Sequence, residues 1–249
     1  MICQHYFKKM HRSLNIEISE SKNGGNIVLF LHGFLGDISS SKSFDVLSLM
    51  LTSQGFSTFR FDFSGCGKSI KKEVSLDIWR EDLEAVLDYI ESLNYQKIHI
   101  VAYSLGSLIL LTLLRSKSYY SKFIYKSVFI NPVTNKIAYS WESRYNRGRL
   151  NELEKLGYME ILTQVQIIRL DKSYFSERME INQHALACVV GFPLSILHAR
   201  EDERVPLEDT MRFSEMSPLI SVEIIENCTH SFETKVLEVG ECIIQFLRG

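Results

Sequence analysis

The chain has 249 residues, of which 45% are hydrophobic and 23% charged, and its formal net charge at pH 7 is −2. This length fits one large α/β domain or two small ones, and the composition is ordinary for a globular protein. The small net charge excludes a strong overall attraction to nucleic acid or to an anionic membrane.

The spacing of the cysteines and the length of the apolar runs indicate the cellular compartment of the protein. No C-x-x-C pair occurs, so neither a zinc site nor a redox pair is expected, and free thiols in a reducing compartment fit best. The N-terminal residues contain no apolar core of signal-peptide length, and the run from 108 to 114 is too short to span a bilayer. We therefore expect a cytoplasmic protein with no membrane span. The five cysteines are Cys3, Cys66, Cys188, Cys228 and Cys242.

Apolar runs typical of buried strands alternate with helical patterns along most of the chain. Because buried parallel strands are covered by helices on both faces, this alternation predicts an α/β fold with a mostly parallel, doubly wound sheet. Two early segments, "QHYFKKM" and "RSLNIEISES", predict an antiparallel hairpin at the sheet edge. The strand-like runs are 26–33, 56–63, 97–104, 122–132, 193–200 and 221–227, and the helical patterns are 42–54, 76–93, 105–115, 207–214 and 233–247.

One stretch interrupts the alternation. From Asn131 to about Leu186 the sequence contains no convincing strand, and its patterns are helical. We interpret residues from about 133 to 186 as a small helical cap inserted over one end of the sheet. The chain is then a single domain over residues 1–249 with this cap insertion.

The turn "VAYSLGS" places Ser104 between an apolar strand and a helical run. A nucleophilic serine in such a turn needs small residues two positions before and after it, because both pass close to neighbouring backbone. Gly106 meets this requirement, and Ala102 adds only a methyl group where glycine is usual. Ser104 is therefore a candidate nucleophile, and the alternative is a serine that only begins a helix.

Two later loops contain a candidate acid and a candidate base. Asp202 follows a strand in "LHAREDERVP", where Glu201 and Glu203 are neighbouring alternatives and a solvated charge run is the simpler interpretation. His230 lies in "ENCTHSF", and it alone of the seven histidines stands between the final strand and the final helix. A carboxylate that orients a histidine, which in turn takes a proton from serine, is the arrangement of a hydrolytic triad.

The segment "DFSGCGKS" resembles a phosphate-binding loop. However, Asp62 replaces the first glycine, and a carboxylate there would repel a triphosphate. The next helical pattern also begins near Leu76 instead of at Lys68. We therefore interpret Asp62 and Ser69 as residues that hold this loop beside the active-site entrance, and nucleotide binding is the disfavoured alternative.

Taken together, these motifs resemble the α/β-hydrolase superfamily. Ser104, Asp202 and His230 stand in the order Ser–Asp–His, each at a strand end, and the resemblance covers most of the chain. It also includes His32-Gly33-Phe34 and the run from Asp62 to Gly67. Within the superfamily the chain is similar to small cytosolic esterases of the serine-aminopeptidase-like (S33-type) group. Ala102 and Ala199 depart from the usual glycines, and both are small-for-small changes.

The resemblance implies roles for these residues. Ser104, Asp202 and His230 would be the catalytic triad, and the backbone N–H groups of Phe34 and Leu105 would form the oxyanion hole. No metal or cofactor is needed. The supporting residues of the site would be His32, Gly33, Asp62 and Gly106.

The implied activity is that of a serine hydrolase, carboxylesterase-like (EC 3.1.1), that cleaves carboxylic esters or thioesters with small to medium acyl groups. The alternatives are an aminopeptidase or amidase, in which Glu142 or Glu152 would hold the substrate amine, and a non-catalytic ligand-binding homologue. The predicted partner is a small-molecule ester, without nucleic acid. The sequence leaves the oligomeric state open.

The substrate pocket is the least determined part. We expect aromatic residues to line it: Tyr103 in the serine turn, and Tyr139, Trp141 and Tyr145 in the cap. The arginines nearby would form a cationic rim for an acyl chain or an acidic substrate. Packing within the cap and a solvated surface are the simpler explanation of the same residues. The three arginines are Arg144, Arg147 and Arg149.

Overall fold

The computed structural model describes residues 13–21, 25–40, 42–136, 145–163 and 165–249. Among these residues the strands are β1 (Ile16–Ser19), β2 (Asn26–Leu31), β3 (Ser57–Phe61), β4 (Glu73–Val74), β5 (Lys97–Tyr103), β6 (Ile124–Ile130), β7 (Tyr158–Leu162), β8 (Ile167–Asp171), β9 (Leu194–Ala199) and β10 (Ile220–Ile225). The α-helices are α1 (Ser43–Ser53), α2 (Leu76–Ser92), α3 (Leu105–Ser116), α4 (Arg147–Leu156), α5 (Lys172–Met179), α6 (Gln183–Ala187), α7 (Leu207–Ser214) and α8 (Val236–Arg248).

Seven strands form the central sheet, in the order β1-β3-β2-β5-β6-β9-β10. All neighbours are parallel except β1 and β3, which pair antiparallel. The predicted doubly wound, mostly parallel sheet is confirmed, and the six strand-like runs are its six parallel strands. Of the predicted edge hairpin, β1 lies at the edge of the sheet, and "QHYFKKM" lies outside the described residues.

Apolar side chains cover both faces of this sheet. On one face, α2 and α3 pack through residues such as Leu83 and Leu110. On the other face, α1 and α8 pack through residues such as Leu47 and Ile243. Successive residues of β2 alternate between these two cores, as a strand requires. This double cover is the reason that the central strands read as continuous apolar runs.

The carboxyl ends of the parallel strands meet at one edge, where ligands bind in open α/β sheets. The loops that contain the candidate residues all leave the sheet at this edge: Phe34 follows β2, Asp62 follows β3, Ser104 follows β5, Asp202 follows β9 and His230 follows β10. The topology therefore brings residues that are far apart in sequence into one region.

The segment between β6 and β9 differs from the prediction. It contains α4, α5 and α6, but the expectation of no strand there is wrong, because β7 and β8 form an antiparallel hairpin and β4 adds a parallel third strand. Gly157 ends α4 in the left-handed conformation, at φ 77°. From there, buried Met159, Ile168 and Leu170 alternate with outward residues at the period of two that a strand shows.

Within the part of the chain that the structure describes, no helix is both long enough and apolar enough to cross a bilayer. The four cysteines in this part, Cys66, Cys188, Cys228 and Cys242, are all unpaired.

Candidate active site

Ser104 occupies a strained turn between β5 and α3. Its φ of 51° and ψ of −118° lie in a region that non-glycine residues rarely adopt. Two backbone hydrogen bonds hold it there: its N–H donates to the Ile130 carbonyl at 2.9 Å, and its carbonyl accepts from the Val133 N–H at 3.1 Å. The turn thus aims the Ser104 hydroxyl away from the sheet at the cost of backbone strain.

The positions of the small residues beside Ser104 differ in the space that they leave for a side chain. A Cβ atom on Gly106 would lie 2.6 Å from the Leu31 carbonyl oxygen, so only glycine fits there. Gly33 is nearly as confined, since its Cβ would lie 3.1 Å from that of Ser104. Ala102, by contrast, points its methyl group into the buried core on the α2–α3 face. The departure from glycine at position 102 therefore leaves the turn intact.

His230 and Asp202 complete a chain of contacts with Ser104. His230 Nε2 lies 3.0 Å from Ser104 Oγ, and its Nδ1 lies 2.8 Å from Asp202 Oδ2. Because an ionised carboxylate only accepts, Nδ1 donates to Asp202 and Nε2 is left to accept the serine proton. Ser104 and His230 are buried, at 8% and 4% exposure, and the side chain of Asp202 is 1% exposed. The three side chains predicted from their order in the sequence are thus brought into contact, in an arrangement that permits proton transfer from Ser104 to His230.

Asp202 is held by its own loop. Its second oxygen, Oδ1, accepts the backbone N–H groups of Arg204 and Val205, each at 2.8 Å. Burial alone would raise the pKa of Asp202, but the hydrogen bond and charge of His230, with these two amides, lower the pKa below its ordinary value. Asp202 is therefore the ionised acid at the histidine ring.

Glu201 and Glu203, the alternative acids, accept backbone N–H groups of the loop after β10. Glu203 accepts the N–H of His230 at 3.2 Å, and Glu201 accepts the N–H of Cys228 at 2.7 Å. Both carboxylates therefore tie the loop after β9 to the loop after β10. The charge run "REDER" is only partly a solvated surface, because three of its acids bond to the histidine loop.

The carbonyl of His230 is fixed from the other side. Asn131 donates to it from Nδ2 at 2.8 Å and accepts the Ala199 N–H at Oδ1 at 2.7 Å. Tyr103 donates its hydroxyl to the same carbonyl at 3.1 Å. Asn131 thus joins the ends of β6, β9 and the histidine loop. Sequence reasoning missed it, although an asparagine directly after a buried strand is a detectable signal.

A second histidine, His198, lies behind the acid. It is fully buried, with Nδ1 2.8 Å from the Thr210 hydroxyl, and with Nε2 3.2 Å from the Val205 carbonyl and 3.6 Å from Asp202 Oδ2. Burial lowers the pKa of His198, so the ring is neutral. It therefore fixes the turn that supplies the Val205 amide to Asp202. The sequence analysis assigned it no role.

The loop after β2 lies beside Ser104. His32 donates from Nδ1 to the Gly33 carbonyl at 2.8 Å and accepts the Phe63 N–H at Nε2 at 3.0 Å, and burial lowers its pKa. It is a neutral histidine that bonds within its own loop and to the loop after β3. Among the described residues, the N–H groups of Phe34 and Leu105 have no hydrogen-bond acceptor. Both amides belong to residues that line the cavity at Ser104.

Asp62 is the centre of a second closed network. It accepts the N–H of Ile38 at 2.6 Å, the N–H of Lys68 at 2.8 Å and the side-chain amide of Asn15 at 2.7 Å. Ser69 donates its hydroxyl to the Asp62 carbonyl. The predicted loop-holding role of Asp62 and Ser69 matches these bonds. A carboxylate fills the place that a phosphate would need, and the helix begins only at Leu76.

A cavity of about 740 Å³ opens at Ser104. Its walls come from the loop after β2, from the acid and histidine loops, and from the inserted segment, which contributes Tyr174 and Arg178. The ring of Phe34 stacks on that of Tyr174, with centroids 5.5 Å apart and planes at 21°. The insertion therefore contacts the serine site directly, and the cavity has both aromatic and charged walls.

The predicted substrate residues are only partly brought to this cavity. Tyr103 lines it. Tyr145 packs edge-on against Phe175 at 6.0 Å and is not among the described lining residues, so the structure does not place it in the pocket. Tyr139, Trp141, Glu142 and Arg144 lie outside the described residues. Glu152, an alternative partner for a substrate amine, pairs with Arg149 at 3.5 Å away from the cavity lining.

The described part of the chain contains no group of three or more His, Cys, Asp or Glu side chains that could hold a metal ion.

The comparisons with known proteins agree with this architecture. Residues 26–147 match the family model described as alpha/beta hydrolase fold. Est1E from Butyrivibrio proteoclasticus, solved with ferulic acid, is 20% identical with a TM-score of 0.77, and the match covers 95% of this chain and 94% of Est1E. The monoacylglycerol lipase of Paleococcus ferrophilus is 17% identical with a TM-score of 0.72, covering 94% of this chain and 98% of the lipase.

A bromoperoxidase from Bacillus anthracis is 19% identical with a TM-score of 0.71, and the match covers 96% of each chain. No curated protein matches the chain. The lipase and the bromoperoxidase share one fold and are named for different activities, so the likeness concerns the fold, and an activity has to be argued from the site.

Proposed function

We propose that the chain is a member of the α/β-hydrolase superfamily, whose family model residues 26–147 match, and that it is a serine hydrolase that cleaves carboxylic esters, with Ser104, His230 and Asp202 as its triad. The observation that carries the proposal is the unbroken contact from Asp202 through His230 to Ser104, at 2.8 and 3.0 Å, with Ser104 held at positive φ. A serine that only began a helix would need neither the histidine nor the strain.

In the proposed reaction, Ser104 Oγ attacks the ester carbonyl carbon while His230 Nε2 takes the hydroxyl proton. Negative charge develops on the carbonyl oxygen, and the N–H groups of Phe34 and Leu105 are the proposed donors to it. Such donors typically contribute a few kcal/mol of transition-state stabilisation. Asp202, kept ionised by its amide bonds, stabilises the imidazolium that forms at His230.

The tetrahedral intermediate then collapses, and the bond from the carbonyl carbon to the leaving alkoxy oxygen breaks. His230 gives its proton to that oxygen, so an alcohol, or a thiol from a thioester, departs and the acyl group stays on Ser104. A water molecule next attacks the acyl carbon, and His230 takes its proton. Protonation of Ser104 Oγ by His230 releases the carboxylic acid and restores the enzyme.

The cavity supports a substrate of small to medium size. Its volume of about 740 Å³ is within the range of small-molecule sites. We propose that the segment between β6 and β9 acts as a cap within a single domain, because Tyr174 of α5 stacks on Phe34 beside the serine. Phe34 and Tyr174 would then contact the acyl group.

A fluorophosphonate probe tests the assignment directly, because it phosphonylates an activated serine. We expect the wild type to be labelled and Ser104→Ala to be unlabelled. Ser107→Ala is a matched control, since Ser107 is buried on the same helix and donates to the Ala102 carbonyl. We expect this control to be labelled like the wild type. An unlabelled wild type, or labelled Ser104→Ala, would refute the assignment.

The same variants are expected to separate in turnover of p-nitrophenyl acetate. Loss of the nucleophile or of the base, in Ser104→Ala or His230→Ala, should lower kcat by roughly 10⁴-fold or more, by analogy with triad deletions in other serine hydrolases. A panel of p-nitrophenyl esters of increasing acyl length, assayed with the wild type, then reports the size of the acyl pocket.

A further inference from the structure

A group of exposed apolar side chains lies at the turn end of the β7–β8 hairpin. Leu162 and Ile167 are directly opposite each other on the two strands, and they are 78% and 53% exposed. Val165, in the turn between them, is 58% exposed, and Ile70, in the loop before β4, is 75% exposed. We call these four side chains the hairpin patch. None of them contributes to the core of the inserted segment.

Backbone and side-chain contacts make the hairpin patch continuous. Gln166, between Val165 and Ile167, donates its side-chain amide to the Ser69 carbonyl at 3.2 Å, which places Ile70 beside the hairpin turn. The Arg169 N–H donates to the Lys72 carbonyl, and β4 pairs with β8 from Glu73 onwards. The loop from 68 to 72 therefore runs along the open side of β8.

Three exposed lysines border the hairpin patch: Lys68, Lys71 and Lys72. Within the described part of the chain, none of them forms an ion pair with a carboxylate. Two acids of this small sheet, Glu73 on β4 and Glu160 on β7, lie 3.9 and 3.2 Å from Arg169, which neutralises part of their charge. An apolar patch bordered by net positive charge thus stands on a chain whose total charge is −2.

The hairpin patch is also linked to the cavity mouth. Asp62 accepts the Lys68 N–H at one oxygen and the Ile38 N–H at the other. Gly36 and Asp37, which directly precede Ile38, line the cavity at Ser104. One carboxylate therefore joins the loop of the patch to the loop of the cavity mouth.

We propose that the hairpin patch docks the protein onto a bilayer that contains anionic lipids. Apolar side chains at a hairpin turn can enter the boundary between headgroups and acyl chains, while lysines at their border bind headgroup phosphates and keep their charge in water. A symmetric contact between two copies would instead bring three lysines of each copy together, which like-charge repulsion opposes.

Sedimentation with vesicles tests this proposal, and it is independent of the chemistry at Ser104. We expect the wild type to bind vesicles of equal parts phosphatidylcholine and phosphatidylserine, and to bind pure phosphatidylcholine much more weakly. Leu162→Ser with Ile167→Thr should weaken binding by about tenfold or more, because two inserted side chains are lost. Lys71→Gln with Lys72→Gln should weaken it by about 25-fold, since each lysine contributes about fivefold.

The matched control is Leu49→Ser with Leu237→Ser, which removes two side chains that are 73% and 62% exposed on α1 and α8. This control should bind like the wild type, and so should Ser104→Ala, which separates docking from catalysis. All variants should keep the wild-type melting temperature. The proposal is overturned if the wild type does not bind the anionic vesicles, or if the control loses binding equally. A dimer in analytical ultracentrifugation that the Leu162 and Ile167 changes dissolve would also overturn it.

Discussion

Asp62 and Asp202 form a natural comparison, because each aspartate follows a strand of the central sheet and the carboxylate of each is buried. Each accepts two backbone N–H groups: Ile38 and Lys68 for Asp62, Arg204 and Val205 for Asp202. They differ in the third donor. Asp62 receives the side-chain amide of Asn15, and Asp202 receives the imidazole of His230.

The third donor determines what each carboxylate can do. An amide cannot transfer a proton near neutral pH, so the Asp62 network only holds two loops together. An imidazole can accept a proton at its other nitrogen, so the Asp202 network can support proton transfer from Ser104. Two carboxylates with two backbone donors each thus yield a structural acid and a proposed catalytic acid. The distinction comes from a residue far away in sequence.

The largest expected difference is in turnover. Asp202→Asn keeps the shape of the side chain but offers His230 an amide that can donate, which favours the wrong tautomer of the ring. We expect kcat for p-nitrophenyl acetate to fall by about 10⁴-fold, as the corresponding change does in other serine hydrolases. Asp62→Asn is the matched change in the other network, and there kcat should stay within about tenfold of the wild type. Equal losses in the two variants would remove the distinction.

The second prediction concerns the other aspartate, Asp62, and the stability of the folded protein. Asp62→Ala removes the acceptor of three hydrogen bonds, and it leaves the partly buried amides of Ile38 and Lys68 without that partner. Because such unsatisfied donors are costly, the free energy of unfolding should fall by about 3 kcal/mol. Urea denaturation measures this fall, with Asp62→Asn as the milder control. Wild-type stability in Asp62→Ala would show that the loop does not depend on the carboxylate.

The smallest expected effect is on how the contribution of Asp202 to the free energy of unfolding changes with pH. Hydrogen bonds and charge hold its pKa in the folded protein below the ordinary value, so its stabilising contribution is fully present above about pH 4 and is lost as the pH falls through the folded pKa. The difference in unfolding free energy between wild type and Asp202→Asn should therefore shrink on acidification from pH 5. Urea titrations of both proteins at several pH values measure it. A difference that grows towards low pH would contradict the direction of the shift.

Much of the architecture was predictable because its signals are local. Buried parallel strands are apolar runs, and helices α1, α2, α3 and α7 begin and end within about two residues of their predicted bounds. The loop-holding role of Asp62 also followed from local chemistry, because a carboxylate cannot hold a phosphate. Asp202 was favoured over its two neighbours from the sequence, but the separate contacts of the three acids with the histidine loop depend on the folded arrangement of the loops after β9 and β10.

The β7–β8 hairpin was missed for a physical reason. The helical pattern of α4 runs into Gly157 without a polar break, and the alternation that follows is short and half exposed. The hairpin patch was missed because the net charge of the whole chain conceals three clustered lysines. Residues that face the cavity from the inserted segment, such as Tyr174, carry no pattern that separates them from ordinary packing.

The residue that follows Asn131 determines how readily this asparagine deamidates over time. Asparagine deamidates when the backbone nitrogen of the next residue attacks its side-chain carbonyl, and here the next residue is Pro132, which has no N–H and cannot form the cyclic imide in that way. An aspartate at 131 would replace the Nδ2 donor with an acceptor facing the His230 carbonyl, where both would repel. Pro132 therefore protects the junction of β6, β9 and the histidine loop against deamidation, to which an asparagine followed by glycine would be prone.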